Sequence, residues 1–250
     1  YFLSIIFGLV VGLIRSYKPQ PPEYNARPRA VFEHILHAIV YNVATVYVEF
    51  MRGIPPLVFL LISGFVIVPA VRDWLNTNIL ISMGTELVWR GRDAGTAIAG
   101  LSLVYGAFLS EVFRSGIQSI PKGQMEAAKS LGMSWGQAMR YIVIPQAIRR
   151  ILPELGNNFI SMIKDTSLVT ILGTDEITQI ARKVSGSNFL YRETYAVLSL
   201  VYLTMTITGS LFIQRIESYL KSETVHTKRL SWWQRLRVRA EKRKRKRSEG

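Results

Sequence analysis

Residues 125–145 read MEAAKSLGMSWGQAMRYIVIP. The stretch is half polar, yet it lies between two segments apolar enough to cross a membrane, and its residues prescribe a defined shape. Residues 124–131 are rich in helix formers, among them Met125, Glu126, Ala127, Ala128, Lys129 and Leu131. Gly132 follows, where a helix can end in the left-handed conformation that only glycine adopts cheaply. Ser134, with Gln137 three residues on, is a capping box that starts a second helix at once. Pro145 then removes a backbone donor and is expected to end or kink that helix where the next span begins. Helix, glycine stop and capped restart make a corner. The plainer reading of such a corner is a helical hairpin joining two spans.

The bulk composition agrees with a membrane setting. The 250 residues are 49% hydrophobic, with mean hydropathy +0.20 and a formal charge of +14. A soluble domain is seldom both so apolar and so basic; spans in lipid with basic residues collected outside them explain the pair. The chain has no cysteine, which excludes disulfides, thiolate metal sites and cysteine nucleophiles. It has no G-x-x-x-x-G-K-[ST] phosphate loop and no internal repeat.

Residues 54–71, 94–110 and 196–214 are uncharged, and each run approaches the roughly 20 residues that a crossing needs. Residues 1–14 are uncharged but short and read as the tail of a truncated span, so the native N-terminus is expected further upstream. Residues 151–172 are apolar apart from Glu154, Lys164 and Asp165, and read as a span with a functional reason for its charges. Residues 31–50 are interrupted by Glu33, His34, His37, Asn42 and Glu49, and read as an interfacial helix instead. The expectation is an all-α membrane protein of about five transmembrane helices. This layout puts 24 of the 31 Lys and Arg on one side, in residues 15–53, 111–150 and 215–250, against six on the other. The basic side is then cytoplasmic, and it includes the corner and the C-terminus.

Four stretches carry a family resemblance. Glu126-Ala127-Ala128, three residues, Gly132, nine residues and Ile142-Val143-Ile144-Pro145 resemble the EAA loop of bacterial ATP-binding-cassette importer permeases. Ile144 stands where that pattern has leucine. Residues 47–55, YVEFMRGIP, are similar to the entry to the second span of the polar amino-acid permeases. Residues 105–116, YGAFLSEVFRSG, resemble their third span, and residues 164–168, KDTSL, their fourth. The resemblance covers about residues 1–220. Residues 18–33, with prolines at 19, 21, 22 and 28, look like an insertion, and the 72–93 loop is long.

The resemblance implies a type I importer permease fold over residues 1–220, with the EAA loop at about 120–145. It implies that Glu126, Ala127, Ala128, Gly132, Ser134 and Pro145 form a coupling element that docks on a cytoplasmic ATPase. It also implies two ATPase subunits carrying ATP-Mg, with no cofactor on this chain, which is not itself an enzyme. A second permease and an extracytoplasmic amino-acid-binding protein complete the assembly in the inner membrane. The insertion and tail favour a second permease distinct from this chain, an identical copy being the other option.

The candidate residues each have two readings. Intramembrane charges cost roughly 2.5–3.5 kcal/mol each on insertion scales, which makes Lys164 and Asp165 functional suspects. Lys164 is assigned a structural role, since the resemblance spans differing substrates. For Asp165, Thr166 and Ser167, lining the translocation pathway stands level with packing. Asn158, with Asn157, is expected to bond across helices, facing the pathway being the alternative. Glu111 has Arg114 one turn on as a partner, and facing the pathway is again the alternative. His34 and His37 lack a third ligand, so no metal site is expected. Residues 221–250 read as a solvated, disordered tail ending in KRKRKR at 242–247. Attraction to anionic membrane lipids, with Trp232 and Trp233 as anchors, is its second reading; nucleic acid is not expected, for want of a binding fold. A channel or ion-coupled secondary transporter is the competing function, but a carrier should carry more intramembrane carboxylates and an internal repeat. A near-neutral outer side implies no strong preference for anionic or cationic solutes.

Overall fold

The computed structural model describes residues 1–19, 28–80, 85–89 and 91–248, with side chains described as far as residue 219. The central part of the 18–33 insertion and the side chains of the basic tail therefore lie outside the described residues. Every described element is helical: α1 (Phe2–Ser16), α2 (Pro28–Gly53), α3 (Pro56–Leu80), α4 (Ala94–Gln118), α5 (Lys122–Ser130), α6 (Trp135–Ala138), α7 (Ile144–Asp165), α8 (Ile177–Asn188) and α9 (Tyr191–Ser248).

The tightest helix pair is α1 on α4, and small residues explain it. Gly8 and Gly12, four apart on α1, face Gly106 and Ser110, four apart on α4. Without Cβ atoms the backbones approach closely, the main device for helix association where lipid removes the hydrophobic drive. The pairs advance together along both chains, so the two helices run parallel. A Cβ on Gly12 would lie 2.7 Å from the Ser110 carbonyl oxygen and 2.9 Å from the Phe113 Cβ, neither of which can yield. Gly12→Val is expected to push α1 off α4 and to cost about 1–3 kcal/mol, read as a lowered thermal unfolding midpoint in detergent. Gly53→Ala, whose added Cβ meets nothing within 4 Å, should leave the midpoint in place.

Helix α3 runs back along α4. A Cβ on Gly100 would touch Leu60, and one on Gly91 would strike the Gly64 carbonyl at 2.3 Å. Residues 72–80 of the expected long loop are helical and belong to α3, and Leu87 is clasped to them by Asn76, whose side chain donates to the Leu87 carbonyl (3.1 Å) and accepts from its N–H (2.8 Å). Asp93 then caps α4 by accepting from the Thr96 N–H at 2.7 Å. That bond holds its carboxyl below the usual carboxylate range, so the cap persists until the pH falls through that lowered pKa.

Four helices are long and apolar enough to cross a membrane, Arg29–Gly53, Pro56–Leu80, Ala94–Gln118 and Tyr191–Tyr219, and Phe2–Ser16 is a shorter apolar helix. Because α1 and α4 run the same way, only one of the two helices between them can cross, and the Arg15–Glu49 and Arg52–Glu111 contacts set the C-terminal end of α2 level with the C-terminal ends of α1 and α4. Residues 31–50, read as interfacial, lead to that level within one continuous helix that reaches spanning length. The reason is that its charges sit near its two ends: Glu33 pairs with Arg29 (3.0 Å) and Glu49 with Arg15 (3.5 Å), leaving residues 34–48 without Asp, Glu, Lys or Arg. Only its C-terminal half, through Ala44, Val48 and Met51, is buried against the bundle.

Residues 151–172, read as a span with a functional reason for its charges, are less apolar than the four candidates. They form the end of α7 and a 3-10 turn, Thr166–Leu172, wedged between α4 and α9. Gly116 of α4 meets Ile151, Gly156 meets Ile213 of α9, and Gly209 of α9 approaches Ile160. A helix packed against two neighbours can hold charges on a side turned away from lipid.

Candidate functional site

The corner of residues 122–145 forms as its sequence dictates. Gly132 has φ +80°. Its N–H donates to the Lys129 carbonyl at 2.9 Å, and the Met133 N–H to the Ala128 carbonyl at 3.2 Å. These two bonds are a Schellman ending for α5. The Ser134 hydroxyl accepts from the Gln137 N–H (3.3 Å), while the Gln137 side chain accepts from the Ser134 N–H (2.8 Å). One residue in a left-handed conformation thus turns the chain, and a reciprocal cap restarts it two residues later.

Pro145 does not end the second helix. Residues Met139–Val143 take a π-helical turn immediately before it, and the helix runs on as α7. A π turn moves carbonyl partners along by one residue, which accommodates the missing donor and the ring.

Glu126 and Ala127 are exposed, whereas Ala128 is buried. The small side chain of Ala128 thus lets the two arms of the corner close on each other. Leu131, at the tip, is 83% exposed, and Trp135 stands beside it with Tyr17 packed edge-on at 5.4 Å. The base of the corner shares a core with the long helices: Ile120, Val143, Ala147 and Ile151 pack with Leu109 and Phe113, and Met125 and Met139 lean on them. Arg150 adds a bond to the Ser119 carbonyl at 2.5 Å. The corner is bolted to α4 and α7.

About two turns back along α4 from its corner end, charges from three helices converge. Both Glu111 oxygens are engaged: Oε2 accepts from Arg114 (3.0 Å) and Arg15 (3.2 Å), and Oε1 accepts from Arg114. Arg52 stands 3.9 Å away. Arg15 is 8% exposed and its Nε has no partner, so Glu111 and, at 3.5 Å, Glu49 are what neutralise a nearly buried cation.

Further up, the buried Tyr105 donates from its hydroxyl to Asp165 at 2.8 Å. Lys164 is exposed and makes no ion pair among the described residues. The Thr166 and Ser167 hydroxyls bond back to the carbonyls of Ile163 and Lys164, and Thr166 also lines a small cavity with Ser102 and Glu176. Asn158, expected to bond across helices, instead donates to the Glu154 carbonyl of its own helix at 2.9 Å. It lines a cleft of about 530 Å³ with Glu111, Arg52, Arg150 and Glu154.

Residues 35–224 match the family described as binding-protein-dependent transport system inner membrane component. The chain belongs to that family. It is similar to the probable amino-acid permease protein YxeN of Bacillus subtilis (strain 168), 34% identical over 83% of this chain and 80% of that one. It is also similar to the glutamine transport system permease protein GlnP of Escherichia coli (strain K12), 32% identical over 88% and 87%. Among solved structures, an amino acid ABC transporter crystallised with histidines superposes with a TM-score of 0.62 at 31% identity, over 87% of each chain. The inward-facing MetNI methionine ABC transporter gives 0.58 at 19% identity, over 88% of this chain and 90% of that one, a likeness of fold. The chain is an amino-acid ABC transporter permease with the type I importer fold.

Sequence reasoning missed several residues of this permease. Arg15 entered only the charge count of residues 15–53, and only the fold shows it buried beside Glu111. Leu131 was read as one helix former among several, although an apolar residue next to a helix-ending glycine is a signal for an exposed tip. Glu176 caps α8 through Thr178 and accepts from the Tyr202 hydroxyl at 2.6 Å, a link from α8 to α9 that no local pattern announces.

Proposed function

We propose that this permease forms half of the translocation pathway of an ATP-driven importer of polar amino acids, and that the corner couples the pathway to a cytoplasmic ATPase. The observation that carries the reading is the build of the corner: a rigid turn with an exposed apolar tip, sharing a core with α4 and α7. Leu131 and Trp135 offer the apolar contact, and Glu126 the charge for a basic group on the ATPase. The capped arms resist bending, so a push at the tip moves α4 and α7 as a body, as alternating access requires. The corner and the C-terminus face the cytoplasm in this reading, in keeping with the clustering of Lys and Arg. A second permease and a binding protein complete the assembly, and ATP-Mg resides on the partner.

Because the chain has no cysteine, a single Leu131→Cys substitution provides a unique cross-linking site. In the purified assembly it is expected to form a disulfide with a cysteine walked along the ATPase surface, at a few adjacent positions only. A pattern in which Leu131→Cys is labelled freely by thiol reagents and cross-links nowhere would contradict docking at the corner.

A further inference from the structure

We propose that the cleft between α4 and α7 is an exit-side site that holds the α-ammonium and α-carboxylate groups of the transported amino acid before release. The inference rests on the importer reading and adds to it a place where the substrate pauses, on the corner side of Tyr105 and Asp165.

Three observations converge. First, Arg150, Glu154, Asn158 and Asp165 are spaced by four, four and seven residues along α7, which puts them on one face of the helix. They extend over 15 residues, roughly 22 Å at helical rise. Opposite, α4 presents Glu111 and Ser115 to the same cleft, the two helices being registered by Gly116 against Ile151. A polar stripe along the open face of a helix packed between two others, opposite polar groups of one of them, is the pattern of a solute path.

Second, the cleft carries charge of both signs whose valences its own contacts leave unfilled. The ionic neighbour of Arg52 is Glu111 at 3.9 Å, beyond hydrogen-bonding range. Arg150 commits one N–H to the Ser119 carbonyl and retains the rest of its fork. Glu154 accepts from the Asn158 amide at 3.5 Å, the limit of a hydrogen bond. Two guanidinium groups and a carboxylate therefore face a space of about 530 Å³, a usual size for a small-molecule site. By contrast the Glu111 oxygens are already taken by Arg114 and Arg15.

Third, the chemistry matches an amino acid's invariant part. A carboxylate fits an arginine fork and an ammonium fits Glu154 and the Asn158 carbonyl oxygen, whatever the side chain. The exposure of Arg52 and Glu154 keeps such binding weak, which release demands.

The test uses Ser115→Cys in the cysteine-free chain, within the complete assembly in lipid and without ATP. A charged, membrane-impermeant thiol reagent is applied from the side that carries the ATPase, and labelling of this chain is timed. Glutamine and other polar amino acids are expected to slow labelling, while glycinamide, which lacks the carboxylate, and propionate, which lacks the ammonium, do not. Adding Glu154→Gln or Arg52→Gln should raise the amino-acid concentration needed for protection by about tenfold or more, as loss of a charged hydrogen bond requires. An assembly that imports amino acids on ATP yet shows no protection, or equal protection by glycinamide, overturns the exit site and leaves the importer reading standing. An assembly with no ATP-driven uptake overturns both. The comparison of glutamine with glycinamide needs no second variant, so it decides the matter even where Glu154→Gln fails to assemble.

Discussion

Replacing Gly132 by valine is expected to uncouple ATP hydrolysis from uptake, with alanine intermediate and asparagine nearly silent. The order follows from the backbone. Gly132 holds φ +80°, and a Cβ built there meets nothing within 4 Å, so steric crowding plays no part. What a side chain loses is the left-handed conformation, at about 1–2 kcal/mol for an ordinary residue. Asparagine tolerates it and a β-branched residue does not. That energy shifts the ratio of formed to unformed corner about 5–30-fold. Once unformed, the Schellman bonds of Met133 and Gly132 are lost and the tip at Leu131 no longer moves with α4 and α7. The measurement is amino acid imported per ATP hydrolysed, in proteoliposomes. Equal coupling in the valine and asparagine variants would show that the left-handed corner is not needed.

The second large effect is expected at Glu111, for a different reason. Glu111→Gln leaves Arg15 charged, 8% exposed and with an Nε already unpartnered. Its remaining counter-charge is Glu49, 67% exposed and 3.5 Å away. Removing one partner of a buried pair costs about 3–5 kcal/mol; Glu111 is a quarter exposed, so about 2–3 kcal/mol is expected. The double substitution Arg15→Gln, Glu111→Gln should recover part of that loss, since it removes the stranded cation as well. Arg52→Gln should cost less than about 1 kcal/mol, because Arg52 is 40% exposed and only loosely paired. Thermal unfolding of the assembly in detergent reads all three. A Glu111→Gln variant as stable as the parent would mean that Arg15 is neutralised by some other group.

The residues whose instructions are local were the legible ones. Gly132 and the Ser134–Gln137 pair specify their geometry within six residues, and the uncharged runs at 54–71, 94–110 and 196–214 each lie in a helix long enough to cross. Properties set by neighbours distant in sequence were not legible. The length of α2 was one of these: Glu33 and Glu49 are paired near its two ends, and the stretch between them is uncharged. Pro145 was expected to end or kink the second helix; the helix runs on, with a π turn at Met139–Val143 immediately before it. That Ala128 is buried while Ala127 beside it is exposed depends on how the corner closes. Arg15, 96 residues from Glu111, carried no local sign of burial. The stripe of Arg150, Glu154, Asn158 and Asp165 was readable as a period along α7, but its meaning depended on what α4 sets opposite.

The most direct test of the account is uptake by the purified assembly of this permease with its ATPase and binding protein in proteoliposomes. Accumulation of a polar amino acid that requires ATP, with hydrolysis stimulated by the loaded binding protein, is the predicted result. Accumulation that proceeds without ATP and follows an imposed ion gradient would contradict it, and would place the chain among carriers that use the corner merely to join two spans.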